Sequence, residues 1–157
     1  MKKVIVFQHV GIEDLGLLNS LFKKKNIILK YIKLYQGECI PNNLEEYSLM
    51  ISLGGPMNTW MEDKYSWLKK EKQAIKRFVV ELKKPFIGIC LGCQLLFESS
   101  DEAGSETLGI FKGKVEDISN NYKLKLNIGY KNLNFEEGNW QEKKILKYFK
   151  GVDLNTK

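Results

Sequence analysis

The chain has 157 residues, 43% of them apolar and 28% charged, enough for one domain with a real core and hardly for two. Its net charge of +6 rests on lysines spread over every predicted helix, with Arg77 the single arginine. A nucleic-acid surface gathers Arg and Lys on one face beside aromatic platforms or a known motif; none is present, so the lysines read as a solvated surface. No apolar run approaches membrane-spanning length. The four-residue run after Met1-Lys2-Lys3 is too short for a signal-peptide core. The expected compartment is therefore cytoplasmic, and three cysteines, an odd number, argue there for thiols rather than a disulfide framework.

In chain order, Lys3 to Gln8 is a β-rich apolar run and reads as a first strand. Glu13 to Lys25 carries Leu17, Leu18, Leu21 and Phe22 at helical spacing and ends in lysines, which suit the helix dipole. Ile27 to Leu34 reads as a second strand, and Ser48 to Leu53 as a third that ends at Gly54-Gly55-Pro56. Ser66 to Lys83 is the clearest helix, with an apolar stripe of Leu68, Ile75, Phe78, Val79 and Leu82. Phe86 to Ile89 reads as a buried strand, and the pattern after it is helical, with Leu95, Leu96 and Phe97 as apolar contacts. Further on, Leu108 to Ile118 and Lys123 to Phe135 alternate like strands, with turns at Lys112-Gly113 and Asn120-Asn121, and Gln141 to Phe149 resembles a short amphipathic helix.

Strands separated by helices predict a parallel, doubly wound sheet, whose ligands bind beyond the carboxyl ends of the strands. His9, Gly54-Gly55-Pro56 and Cys90 all fall at those ends. Gly88-Ile89-Cys90-Leu91-Gly92 between a strand and a helix has the form of a nucleophile elbow with sulfur in place of oxygen. Such a turn brings backbone two residues before and two after the nucleophile nearly into collision, and glycine at both removes it. The nucleophile is forced into a sparsely populated conformation, and a thiol facing a helix N-terminus is favoured as thiolate. A Cys nucleophile attacks a carbonyl carbon and needs donors for the oxyanion. The Leu91 N–H is one candidate, and Gly54-Gly55 offers a second where backbone must approach substrate; taken alone, Gly54-Gly55-Pro56 also reads as a tight turn.

These residues match a family. Gly88 to Leu96 resembles the nucleophile motif of class I (triad-type) glutamine amidotransferases, and Gly54-Gly55-Pro56-Met57 with Glu62-Asp63, Tyr65 and Trp67-Leu68 resembles their oxyanion segment. Phe7-Gln8-His9 with Glu13 is similar to stand-alone proteins related to the glutaminase domain of GMP synthase. Leu108 to Val115, with Ile128-Gly129-Tyr130, is similar to that subgroup and to the amidotransferase subunit of imidazole glycerol phosphate synthase. The resemblance implies a flavodoxin-like three-layer α/β/α fold with a mostly parallel sheet. It also implies hydrolysis of the glutamine side-chain amide through a Cys90 thioester, with ammonia passed to a synthase subunit or domain. Gly54, Gly55 and Leu91 would line the oxyanion site, and Gln94 would help hold L-glutamine. No cofactor, metal, nucleic acid or membrane is expected.

The family places a His and a Glu two residues apart late in the chain, as base and orienting acid. No such pair is spelled here, and His9 is the single histidine. The expectation is one domain over residues 1–157 that lacks the family's C-terminal part. A missing proton shuttle is worth about 10²–10⁴-fold in rate. His9 is either a surrogate base or a hydrogen-bonded residue at a strand end. Glu13 is the other surrogate, and with Cys90 it would make a hydrolase of the DJ-1/PfpI kind. Two further alternatives are a pseudo-amidotransferase that binds without turnover and a dithiol formed by Cys90 and Cys93. Cys39 carries no argument, and no metal-ligand spacing is present.

Overall fold

The computed structural model describes residues 1–101 and 105–117, all within one compact unit, Met1–Ile118. Four parallel strands make its main sheet: β1 (Lys3–Gln8), β2 (Ile28–Lys33), β3 (Leu49–Ser52) and β4 (Phe86–Gly88). They stand in the order β2-β1-β3-β4. Lys3 lies opposite Ile28, Val4 opposite Leu49, and Met50 opposite Phe86. The chain winds outward from β1 to β2, then returns to build β3 and β4 on the other side. The switch point is therefore between β1 and β3, where such sheets place ligands.

Period-two alternation splits β1 between the two faces of the sheet. Ile5 and Phe7, with Met50 of β3, pack against Leu68, Ile75 and Phe78. The first two of these lie in α2 (Ser66–Lys76), and Phe78 in the wider turn Arg77–Glu81 that continues it. Val4, Val6 and Ile51 face the other way, against Leu18 and Phe22 of α1 (Leu17–Lys24). Helix, parallel sheet, helix is the three-layer flavodoxin-like arrangement expected from the sequence. The short α3 (Leu91–Gln94) follows β4. Beyond it, β5 (Ser99–Ser100), β6 (Ser105–Glu106) and β7 (Lys114–Val115) form a separate small sheet in the order β6-β5-β7.

The structure corrects several expectations. α1 begins at Leu17 rather than Glu13, because Gly16 takes φ 50° and Asp14 Oδ1 accepts the Gly16 N–H at 2.7 Å, closing a turn first. Leu17 (91% exposed) and Leu21 (44%) leave the apolar stripe, since the shorter helix presents Leu18 and Phe22 to the sheet. The run Phe86 to Ile89, expected as a buried strand, is not buried throughout: Ile87 and Ile89 are 40% and 41% exposed, and β4 itself ends at Gly88. Ile87 pairs with Ile51 and so shares the α1 face, but β4 is the outer strand on the side away from β2 among the described residues. The elbow helix is one turn long, although Leu95 and Leu96 are buried as expected. The strand expected from Leu108 reduces to β7, because Gly109 (φ 57°) and Gly113 (φ 119°) bend the chain. The expected strand Lys123–Phe135, the turn at Asn120-Asn121, the helix Gln141–Phe149 and the Ile128-Gly129-Tyr130 segment lie outside the described residues.

Phe78 is fully buried where α2 widens, packed in the cluster that holds Ile5, Met50 and Ile75. Phe78→Ala is expected to lower unfolding free energy by about 3–5 kcal/mol, read by urea denaturation; a change within ~1 kcal/mol would contradict this packing.

Candidate active site

The elbow is built as the glycine pattern requires. Cys90 joins β4 to α3 at φ 51°, ψ −110°, a region costly for any residue with a Cβ. A Cβ on Gly88 would meet the Gly92 carbonyl oxygen at 2.4 Å, and one on Gly92 would meet the Ser52 carbonyl oxygen at 2.4 Å. Neither glycine has room for a side chain. The turn is tied by the Ile89 N–H donating to the Ser52 carbonyl (2.9 Å) and by the Cys93 and Gln94 N–H groups donating to the Cys90 carbonyl (2.9 and 3.0 Å). Cys90 is left exposed at the carboxyl edge of the sheet. Leu91 opens α3 and is buried; the first N–H groups of a helix have no intrahelical acceptor. Gln94 is half-buried at the end of the same turn.

Gly54 and Gly55 follow β3 beside this turn. A Cβ on Gly54 would lie 3.2 Å from Cys90 Cβ and 2.8 Å from the Glu13 carboxylate. The glycine is thus what lets the thiol-bearing residue and the carboxylate converge on one spot. A Cβ on Gly55 would meet Met57 sulfur at 2.6 Å and His9 Cβ at 3.0 Å. Glu13 is exposed, and its own carbonyl accepts a 2.8 Å bond from the side-chain amide of buried Gln8, which ties the β1–α1 loop over the strand ends.

His9 belongs to a different construction. It is fully buried, and the strand order puts β3 between it and Cys90. Nδ1 lies 2.9 Å from the Gly54 carbonyl oxygen, and Nε2 lies 3.0 and 3.1 Å from the two carboxylate oxygens of Glu71 on α2. Glu71 is itself fully buried and accepts a 2.8 Å bond from Ser52 Oγ. Trp67 stacks on the imidazole with centroids 5.2 Å apart and planes 10° from parallel. Both acceptors are oxygens, so the arrangement is satisfied when both ring nitrogens carry protons. Burial pushes the His9 pKa down, but the Glu71 hydrogen bond and charge and the Gly54 and Leu53 carbonyls outweigh it, so the pKa stands above its ordinary value.

Sequence reasoning thus finds Cys90, Leu91, Gln94, Gly54, Gly55 and Glu13 at one edge, and the structure draws Cys90, Gly54 and Glu13 into one neighbourhood. It removes His9 from the thiol, because neither ring nitrogen is left for it. Glu71 and Ser52 were missed, and Trp67 entered only as part of the segment that resembles the family's oxyanion stretch, not as a neighbour of His9. A signal for Glu71 is present: it lies three residues after Leu68 and four before Ile75, so the apolar stripe of α2 runs through a carboxylate. Cys39 lines a cavity of about 570 Å³ with Ile40, Trp67 and Lys70, a lining that includes neither Cys90 nor Cys93. Among the described residues no three His, Cys, Asp or Glu side chains form a metal-ligand group, and no helix is long and apolar enough to cross a membrane.

Three expectations follow from this geometry. Gly92→Ala must displace the Ser52 backbone, so a loss of at least about 1–3 kcal/mol is expected in urea denaturation, and an unchanged midpoint would contradict the contact. The raised pKa of His9 fixes the sign of a pH effect. Its protonated form contributes fully to stability below the unfolded value of about 6.5, and the contribution is lost as pH rises through the higher folded pKa. The urea midpoint should fall over that window in the parent, and a midpoint constant across it would contradict the pair. Removing the carboxylate in Glu71→Ala should cost about 3–5 kcal/mol near neutral pH.

Comparison with known proteins bears on the family of the chain. Residues 20–146 match the family model described as glutamine amidotransferase class-I. The chain is 34% identical over 126 residues to the imidazole glycerol phosphate synthase subunit HisH of Prochlorococcus marinus (strain MIT 9211), covering 75% of this chain and 54% of that protein. It is 37% identical over 152 residues to HisH of Helicobacter hepaticus, covering 92% and 66%. A solved glutamine amidotransferase from Thermotoga maritima superposes with a TM-score of 0.56 at 43% identity, over 59% of this chain and 40% of that one. The chain therefore spans between about half and two thirds of the length of these curated relatives. The chain belongs to the class-I glutamine amidotransferase family.

Proposed function

We propose that the chain carries the glutaminase chemistry of its family: Cys90 attacks the side-chain amide carbon of glutamine, ammonia leaves, and water hydrolyses the glutamyl thioester to glutamate. The observation that carries this reading is the strained, exposed Cys90 on a glycine-bounded turn, beside a second glycine segment at the sheet's carboxyl edge. In this reading the N–H groups of Gly55 and Leu91 receive the oxyanion, and Gln94 contributes to holding glutamine. The curated relatives named as synthase subunits support delivery of the ammonia to a synthase partner. The spelling around His9 resembles GMP synthase relatives, whereas those relatives bear another synthase's name; the amide hydrolysis common to both is what is proposed.

A second reading is favoured by one observation, the approach of the Glu13 carboxylate to the space between Gly54 and Cys90. There Glu13 is the general base for the thiol, as in a Cys–Glu hydrolase. Ammonia release from glutamine by the reduced 157-residue chain tests the first reading, and the response of that release to Glu13→Gln tests the second. The proposal expects release that falls at least ~10³-fold in Cys90→Ala; release that survives this change contradicts it. If Glu13 is the base, Glu13→Gln lowers the rate about 10²–10⁴-fold; otherwise the rate stays within a few-fold. A folded chain that binds glutamine and releases nothing would instead be the binding module.

A further inference from the structure

The His9–Glu71 pair is the one buried ionisable cluster that the proposed chemistry leaves unused among the described residues, and one of its bonds reaches the Gly54-Gly55 segment directly. That bond is from His9 Nδ1 to the carbonyl of Gly54, at 2.9 Å. A trans peptide is planar, so the Gly54 carbonyl and the Gly55 N–H point to opposite sides. His9 follows β1, and Cys90 follows β4, on opposite flanks of β3. A Gly54 carbonyl held toward His9 therefore turns the Gly55 N–H away from His9, and Cys90 stands across β3 from His9.

We propose that His9, held by Glu71, is a positioning residue for the oxyanion segment: its Nδ1–H bond fixes the Gly54–Gly55 peptide with the Gly55 N–H toward Cys90, and loss of the His9 proton releases that peptide. The inference rests on the reading of Cys90 as the acylated nucleophile. The proton logic follows from the partners. Glu71 lies against Nε2 and the Gly54 carbonyl oxygen against Nδ1, and each is served only by an N–H. When one proton is lost, the charge-assisted bond to the carboxylate is the stronger and is kept. Nδ1 is then a lone pair facing a carbonyl oxygen, and the peptide is repelled where it had been held.

The surroundings support this assignment. Glu71 on α2 is the charged group on the ring; Trp67 of the same helix covers the imidazole face. Glu13 of the β1–α1 loop and Cys90 of the elbow are the titratable groups on the other side of Gly54. Ser52 Oγ donates to Glu71 Oε1 from β3, so the carboxylate is fixed from a second side. Tilting the ring out of its plane breaks the Trp67 stack, and a half-turn about Cβ–Cγ carries Nε2 away from Glu71.

The test compares two electrophiles at Cys90. A glutamine analogue with a chloroketone in place of its amide reacts through a tetrahedral adduct whose ketone oxygen takes up negative charge before sulfur displaces chloride. Iodoacetamide reacts by direct displacement of iodide and builds no oxyanion. Both consume the same thiolate, so the ratio of their rates, measured by peptide mapping at Cys90, cancels thiol ionisation. His9 is the single histidine of the chain, so one imidazole NMR signal reports its titration. In the parent the ratio is expected to fall about tenfold as pH rises through that titration. His9→Gln, whose amide reaches toward Glu71 and leaves Gly54 without a donor, should show the low ratio at every pH. His9→Asn, whose amide nitrogen lies where Nδ1 lies, should restore the high ratio without the pH dependence. A parental ratio that ignores the His9 titration overturns the proposal, and this arm needs no variant to fold. A folded His9→Gln variant with the parental ratio overturns it as well. If glutamine fails to protect Cys90 of the parent from the chloroketone, the glutaminase reading itself falls and the proposal with it; protection with a ratio indifferent to His9 overturns the positioning role alone.

Discussion

The arrangement of the carboxyl edge depends on one close contact, Gly92 against Ser52. The Ser52 carbonyl takes the Ile89 N–H on one side of the turn and lies where a Gly92 side chain would stand. The Ser52 hydroxyl reaches the other way, to Glu71, and Glu71 to His9. One β3 residue thus supports the turn that exposes Cys90 and the buried pair that holds Gly54. The backbone conformation at Cys90 is unfavourable by roughly 1–3 kcal/mol. It persists because the turn is clamped from the strand below, by contacts that leave no space for relaxation.

The fold was legible where the signal is periodic. β1, α2 and the elbow follow from alternation, from the Leu68–Ile75–Phe78 stripe and from G-x-C-x-G, and the alternation of strand and helix fixes a parallel sheet. The three-layer arrangement follows from Ile5 and Phe7 facing one way and Val4 and Val6 the other. What was not legible depends on neighbours distant in sequence. Apolar content marked Ile87 as buried, but it lies on β4, the outer strand of the sheet among the described residues, and is exposed. The late start of α1 is set by the Asp14–Gly16 turn, a local competitor that periodicity does not register. Among site residues, Cys90 and the glycines announce themselves because their backbone demands are unusual. Glu71 does not, because a carboxylate in a lysine-rich helix reads as surface until its partner 62 residues earlier is placed against it.

The edge divides labour between two kinds of polar group. Exposed Cys90 and Glu13 lie where water reaches them. Buried His9 and Glu71 have every acceptor and donor matched, and an unmatched proton there would leave a bare charge in the core. The sheet's winding keeps the two sets apart by a single strand, β3, and the glycines that follow it approach both. A family site of this kind needs donors fixed before the oxyanion forms, and a buried pair is a rigid means of fixing a glycine segment that has no side chains of its own.

The most direct test of the central claim is to incubate the reduced protein with glutamine, quench in acid and map the peptides by mass spectrometry. The account predicts a gain of one glutamyl group on Cys90, in thioester linkage and removed by hydroxylamine, with Cys39 and Cys93 unmodified. A folded protein that carries no such group on Cys90, or carries it on Cys93 instead, would contradict the assignment of Cys90 as the nucleophile.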